Sequence, residues 1–278
     1  MATRDELEEL FEEHDIDFTQ PGFYDSRAFQ RVERNDPSFL ENYAEFVHVR
    51  EYDPEYLERA RRIIQDLANF MSAEVAADGR QGACVDASGA LMRMLERQNI
   101  WSCMVGGAAI VSFPPETRLN TRYFWPFMHP DNPAGTGHMW LHAPPFKVVD
   151  VTLAFQGWNQ RQAPFIPQTI AIENFEPAEA EIGDLVENEL VELFFNDHRR
   201  PPTLLDIAPA QLDVMEKFDP FTVREGQTRI KYVPTKVSAM DGTLEQMRNL
   251  RLRGRLPAEL YQRFLQRQEG EPAARENN

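Results

Sequence analysis

Apolar positions in the first third of the chain recur at helical spacing. Asp53-Pro54-Glu55 carries the marks of a helix start: Asp as N-cap, Pro at the first helical position, acid in the first turn. Ile63, Leu67, Phe70 and Met71 form a stripe that predicts a helix running to about residue 77, closed by Asp78-Gly79. Ala87, Leu91, Met94 and Leu95 predict a second helix over residues 84–98, with Asn99 as its stop. The pattern then changes. Residues 101–113 are too rich in glycine and β-branched side chains for a helix, and predict a strand with a bulge or bend at Gly106-Gly107. After a proline-rich stretch over 114–136, two strands are expected at about 137–143 and 147–153, joined across Pro144-Pro145, and another near 165–172. Residues 175–240 alternate helical and irregular pieces. Residues 241–267 predict two amphipathic helices broken near Gly254 and Pro257, and 268–278 a frayed end. Consecutive strands with short connections indicate an antiparallel sheet with the helices segregated from it, an α+β arrangement.

Composition narrows the function classes. The chain has 278 residues, of which 42% are hydrophobic, enough for a sizeable core. Lys and Arg total 29 against 45 Asp and Glu, a formal charge of −16. Such a field repels phosphate backbones, so nucleic acid is not an expected partner. Residues 1–20 hold eight carboxylates against Arg4 and predict an acidic arm, either a short helix or disordered. No apolar run approaches the length of a membrane span and no secretory signal is seen, which leaves a cytoplasmic protein as the expectation and a membrane outside it. Cys84 and Cys103 are the two cysteines, too few for a disulfide scaffold and expected to be reduced thiols.

The two thiols differ in position. Cys84 follows Gly82-Ala83 where a helix is predicted to begin. A thiol there faces unsatisfied backbone N–H groups and the positive end of the helix dipole, both of which favour the nucleophilic thiolate. The Cys84 N–H could form half of an oxyanion hole, with Gln81 as the second donor by position. Cys103 lies in mid-strand and reads as core packing.

A base and an orienting carboxylate are available on the predicted hairpin, Gly137-His138 to Val151-Thr152. With a three-residue loop, Ala143-Pro144-Pro145, His142 pairs with Phe146, Trp140 with Val148, and His138 with Asp150. Directly opposed residues share a face. His138 and Asp150 can then share a hydrogen bond, whereas His142 lies about 13 Å away at roughly 3.3 Å per residue. An even-numbered loop would separate His138 from Asp150 unless a bulge intervened. Cys84, His138 and Asp150 would then supply the nucleophile, base and orienter of triad chemistry. The strand context of His138 and His142 and the lack of a His-Glu-x-x-His pattern argue against zinc, and no phosphate-cradling glycine loop is present, so no metal or other cofactor is expected.

In order, a Gly-x-Cys opening a helix, a Gly-Gly strand, His-x-Trp, and a strand ending in Asp-x-Thr resemble the transglutaminase-like superfamily over roughly residues 80–155. The resemblance implies a papain-like fold and acyl transfer on amides, with Cys84 as nucleophile, His138 as base and Asp150 as orienter. Ala83 stands where a glutamine often precedes the family's cysteine. Arg80-Gln-Gly-Ala-Cys84, His138-Met and Val149-Asp150-Val151 are also similar to arylamine N-acetyltransferases, the second choice. The expected layout is an acidic arm (1–20), a transglutaminase-like core with N-terminal helices (21–175) and a mainly helical C-terminal extension (176–278). The expected substrate is a peptide, protein or small amide, met by Trp125, Trp140 and His142. The expected activity is hydrolysis of that amide, with a non-catalytic binding protein on the same scaffold as the alternative. Oligomeric state is left open.

Overall fold

A computed structural model describes residues 1–127 and 137–270, so residues 128–136 of the proline-rich insertion and 271–278 of the expected frayed end lie outside the described residues. Four helices come first: α1 (Arg4–Glu13), α2 (Arg27–Glu33), α3 (Leu40–Val49) and α4 (Pro54–Asp78). α4 starts and stops as the sequence predicts. Asp53 caps it by accepting from the N–H of Glu55 at 2.8 Å and of Tyr56 at 3.2 Å, and Gly79 ends it at φ +75°. α5 (Cys84–Arg97) follows after one turn and buries Ala87, Leu91, Met94 and Leu95.

Eight strands form one curled antiparallel sheet, a half-barrel, in the order β5-β4-β3-β1-β8-β7-β6. They are β1 (Cys103–Ser112), β2 (Arg122–Phe124), β3 (His138–Ala143), β4 (Phe146–Asp150), β5 (Ile170–Ile172), β6 (Glu176–Pro177), β7 (Phe221–Glu225) and β8 (Thr228–Ser238). β2 pairs with the end of β1. Between β6 and β7 lie α6 (Ile182–Leu185), α7 (Asn188–His198), α8 (Leu204–Ile207) and α9 (Leu212–Lys217), and α10 (Pro257–Gly270) ends the described chain. The α+β class holds. Among the described residues no helix is long and apolar enough to cross a membrane.

The expected bend in β1 is a register shift. Gly106 pairs with Lys236 and Gly107 with Pro234, which leaves Thr235 of β8 as an extra residue. Glycine is required there, because a Cβ on Gly107 would stand 1.9 Å from the Val233 carbonyl oxygen. The bulge also accommodates Pro234, which has no N–H to give the ladder.

The expectations for both ends of the chain are corrected. The boundary after residue 175 does not hold: β8 is the longest strand and lies beside β1 in the middle of the sheet, so the C-terminal third completes the core rather than packing on it. Pro234 and the charges of Arg229, Lys231 and Lys236 disguised this strand. Of the two helices expected over 241–267, only α10 forms. The acidic arm, secondly, is part of the body of the protein. α1 turns Leu7 and Phe11 inward, and the Phe11 ring lies 4.9–6.3 Å from Phe18, Phe23, Phe39 and Phe46. A single hydrophobic cluster runs from Leu7 to Phe264. A smaller one, around Ala108, Ile110, Val233 and Leu185, includes Tyr123 and Phe127 from before the undescribed segment.

Candidate active site

Cys84 is the first residue of α5, preceded by Gly82 at φ +67°, a left-handed conformation that glycine adopts freely. Ala83 offers no side-chain cap, so the first N–H groups of the helix stay available around the thiol. The Gln81 side chain is exposed and makes no hydrogen bond to the described residues.

The hairpin carries His138 and Asp150 to one place by a route that differs from the expected register. Its loop is the two-residue cis Pro144–Pro145, with Ala143 opposite Phe146. That even-numbered turn alone would split the two residues onto opposite faces. A shift between Leu141 and Ala143 puts Leu141 opposite Val149 and restores the parity. Continuing that register sets Asp150 opposite Trp140 and makes it a diagonal neighbour of His138. His138 Nε2 meets Asp150 Oδ2 at 2.6 Å, with both residues 1% exposed. Asp150 Oδ1 accepts the Thr152 N–H at 2.9 Å, the Thr152 hydroxyl at 3.3 Å and the Leu153 N–H at 3.0 Å.

Tyr232 is the partner that sequence reasoning missed. Its hydroxyl donates to Asp150 Oδ2 at 3.1 Å, from a residue 82 positions downstream. The pairing of Ala109 with Tyr232 between β1 and β8 delivers it. No local motif marks a tyrosine of this kind; only recognition of β8 as a central strand would have found it. Thr152 was visible as the end of the Asp-x-Thr pattern.

The pKa shifts describe one coupled unit. Burial would lower His138, but the Asp150 charge and hydrogen bond, with a contribution from Cys84, raise it to about 10. Burial would raise Asp150, and the same imidazolium, the Thr152 N–H and the Tyr232 hydroxyl hold it below its usual value. Burial would raise the Cys84 thiol, but His138 outweighs this and leaves it lowered. His138 Nδ1 is buried and has no hydrogen-bond partner of good geometry among the described residues. Cys84 and the ring are close enough to shift each other, the thiol down and the imidazole up. Cys103 is fully buried and its thiol is pushed up, so only one of the two thiols is disposed to ionise.

Two residues expected on a groove wall lie in the core instead. Trp140 is 1% exposed and sits between His138 and Tyr232, with its ring 4.8 Å from that of Tyr232. His142 is 8% exposed; its Nε2 meets His48 Nδ1 of α3 at 3.3 Å and its Nδ1 meets the Lys147 carbonyl at 3.3 Å. Both rings follow from strand alternation, which turns 138, 140 and 142 toward the same packed interior. Trp125 is half-buried, stacks on Tyr123 at 5.2 Å and donates to the Gly183 carbonyl at 2.8 Å, which ties the insertion to α6. The rings beside His138 are Phe124, at 6.0 Å, and behind it Trp158, 5.5 Å from Phe124. Among the described residues no group of three or more His, Cys, Asp or Glu is placed to hold a metal.

No known protein family, curated protein or solved structure matches this chain. The site is therefore interpreted from its own geometry.

Proposed function

We propose that this protein is a thiol-dependent acyl-transfer enzyme with a papain-like, transglutaminase-like core, and that it hydrolyses the amide of a peptide, a protein side chain or a small molecule. The observation that carries the reading is the buried Asp150–His138 pair with its second ring nitrogen unengaged beside a helix-N-terminal thiol of lowered pKa. A structural histidine buried this deeply is normally satisfied at both nitrogens. One held on one side by a carboxylate and left open toward a thiol is arranged to move a proton.

In this reading the resting pair is Cys84 thiolate and His138 imidazolium. The sulfur attacks the amide carbonyl carbon, and the developing oxyanion is met by the Cys84 N–H at the start of α5. The tetrahedral intermediate collapses as the imidazolium gives its proton to the departing amine, leaving a thioester on Cys84. His138, now neutral, takes a proton from water; the resulting hydroxide attacks the thioester and the carboxylic acid departs. Asp150 keeps the ring orientation and tautomer throughout.

Iodoacetamide modification followed by peptide mass analysis tests the reading. Cys84 should alkylate with a midpoint well below the roughly 8.5 of a free thiol, and Cys103 should stay unmodified in the folded protein. An activated ester such as p-nitrophenyl acetate should leave one acyl group on Cys84, and Cys84→Ala should abolish it. Slow alkylation of both cysteines at similar rates would refute the enzyme and favour a binding protein on the same scaffold.

A further inference from the structure

We propose that Tyr232 is a positioning residue of this site, which pins Asp150 and takes up part of its charge so that the carboxylate orients His138 while costing the Cys84 thiolate less. The inference rests on the triad reading above and extends it to a strand that the catalytic motifs do not include. Asp150 Oδ2 receives two donors, His138 Nε2 and the Tyr232 hydroxyl, while Oδ1 is held by the turn that follows β4. The carboxylate is thus gripped from β3, from its own chain and from β8. Tyr232 is 0% exposed, so no water can replace its hydroxyl, and its ring is clamped between Trp140 at 4.8 Å and Phe221 at 5.3 Å. A donor held this rigidly needs no reorganisation when charge moves between His138 and Cys84.

The electrostatic consequence has a definite sign. Asp150 favours a charged His138 but opposes a charged Cys84. The O–H dipole of Tyr232 places its positive end on the carboxylate and reduces the negative potential that both groups feel. Without it, the potential at the sulfur becomes more negative and the thiolate is harder to form. Among the described residues, the charged and titratable groups that act with Asp150 are His138 on β3, Cys84 on α5 and Tyr232 on β8, with backbone N–H groups at Thr152 and Leu153. The β8 strand therefore couples the C-terminal third of the chain to the chemistry.

Tyr232→Phe keeps the ring and removes only the hydroxyl. The expected result is an alkaline shift of the Cys84 alkylation midpoint by about half a pH unit, about threefold less thiolate at a fixed pH below the midpoint. Tyr43→Phe is the control: Tyr43 is equally buried, but its hydroxyl donates to the Ser102 carbonyl at 3.1 Å, so its loss should leave the midpoint in place. In an Asp150→Asn background the Tyr232→Phe shift should disappear, since the hydroxyl acts through that carboxylate. If Tyr232→Phe does not fold, Tyr232→3-fluorotyrosine retains the shape and donates more strongly, and must move the midpoint the other way. An unchanged midpoint in the substituted proteins, or the same shift persisting in the Asp150→Asn background, overturns the role of Tyr232 and leaves the triad standing. An unsubstituted protein whose Cys84 titrates as an ordinary thiol overturns the triad, and this proposal with it.

Discussion

Asp150 accepts five hydrogen bonds while shut away from water, and this concentration of donors explains why a carboxylate can stay ionised there. Its charge is what raises His138. Asp150→Asn preserves the shape and removes the charge, so the His138 pKa should fall from about 10 toward its ordinary value near 6.5. The alkaline limit of acyl transfer, which needs the imidazolium to protonate the leaving amine, should move down with it, and the rate should drop by on the order of a hundredfold or more. A variant that kept both the alkaline limit and the rate would remove Asp150 from the chemistry. At this scale His138 was separable from His142 in the sequence alone, because strand spacing puts only one of them near Asp150. The function of His142 was not legible: its partner His48 sits on α3, 94 residues away.

The elements show how fragile that legibility is. Facing residues in a hairpin depend on parity, and the expected odd loop is in fact an even loop plus a one-residue shift. Two departures cancelled, and the residues met on one face. The β1–β8 bulge is a second case where a small residue decides the register. Gly107→Ala would drive a Cβ into backbone, not into a movable side chain, so the strands must separate. The expected cost is about 3 kcal/mol or more in urea unfolding, with Cys84 reactivity lost as β8 and Tyr232 shift. A loss under about 1 kcal/mol would show that the bulge relaxes without disturbing the site.

Across the whole molecule the pH dependence of stability divides into separate windows. His142 is held neutral in the fold, lowered to about 3 by burial and then by His48 and Lys147, while burial and Lys147 also lower His48. The unfolded chain takes up a proton near pH 6.5, so this contribution is present above that pH and lost as pH falls toward 3, at up to about 1.4 kcal/mol per unit for each group. His138 runs the other way: its contribution is complete below about pH 6.5 and is lost as pH rises through about 10. Asp150, lowered in the fold, contributes above its unfolded value near 3.9 and loses that contribution in stronger acid. Denaturant unfolding at about pH 5 and pH 7 should show the acid loss, and His142→Gln should reduce it. An equal loss in that variant would place the sensitivity elsewhere.

The amino-acid sequence by itself determined the features set by neighbours along the chain. Asp53 and Gly79 bound α4, the apolar stripe fixes α5, and Cys84 stands at the start of that helix. Each depends on contacts within a few residues, where spacing and capping chemistry suffice. The tertiary structure decided what depends on distant pairing. It made β8 a central strand despite Pro234, brought Tyr232 to Asp150, docked the acidic α1 through Phe11, and set Trp140 and His142 in the core. In these cases burial against a partner far away in sequence outweighs local propensity, and a strand's neighbours are chosen by the sheet as a whole.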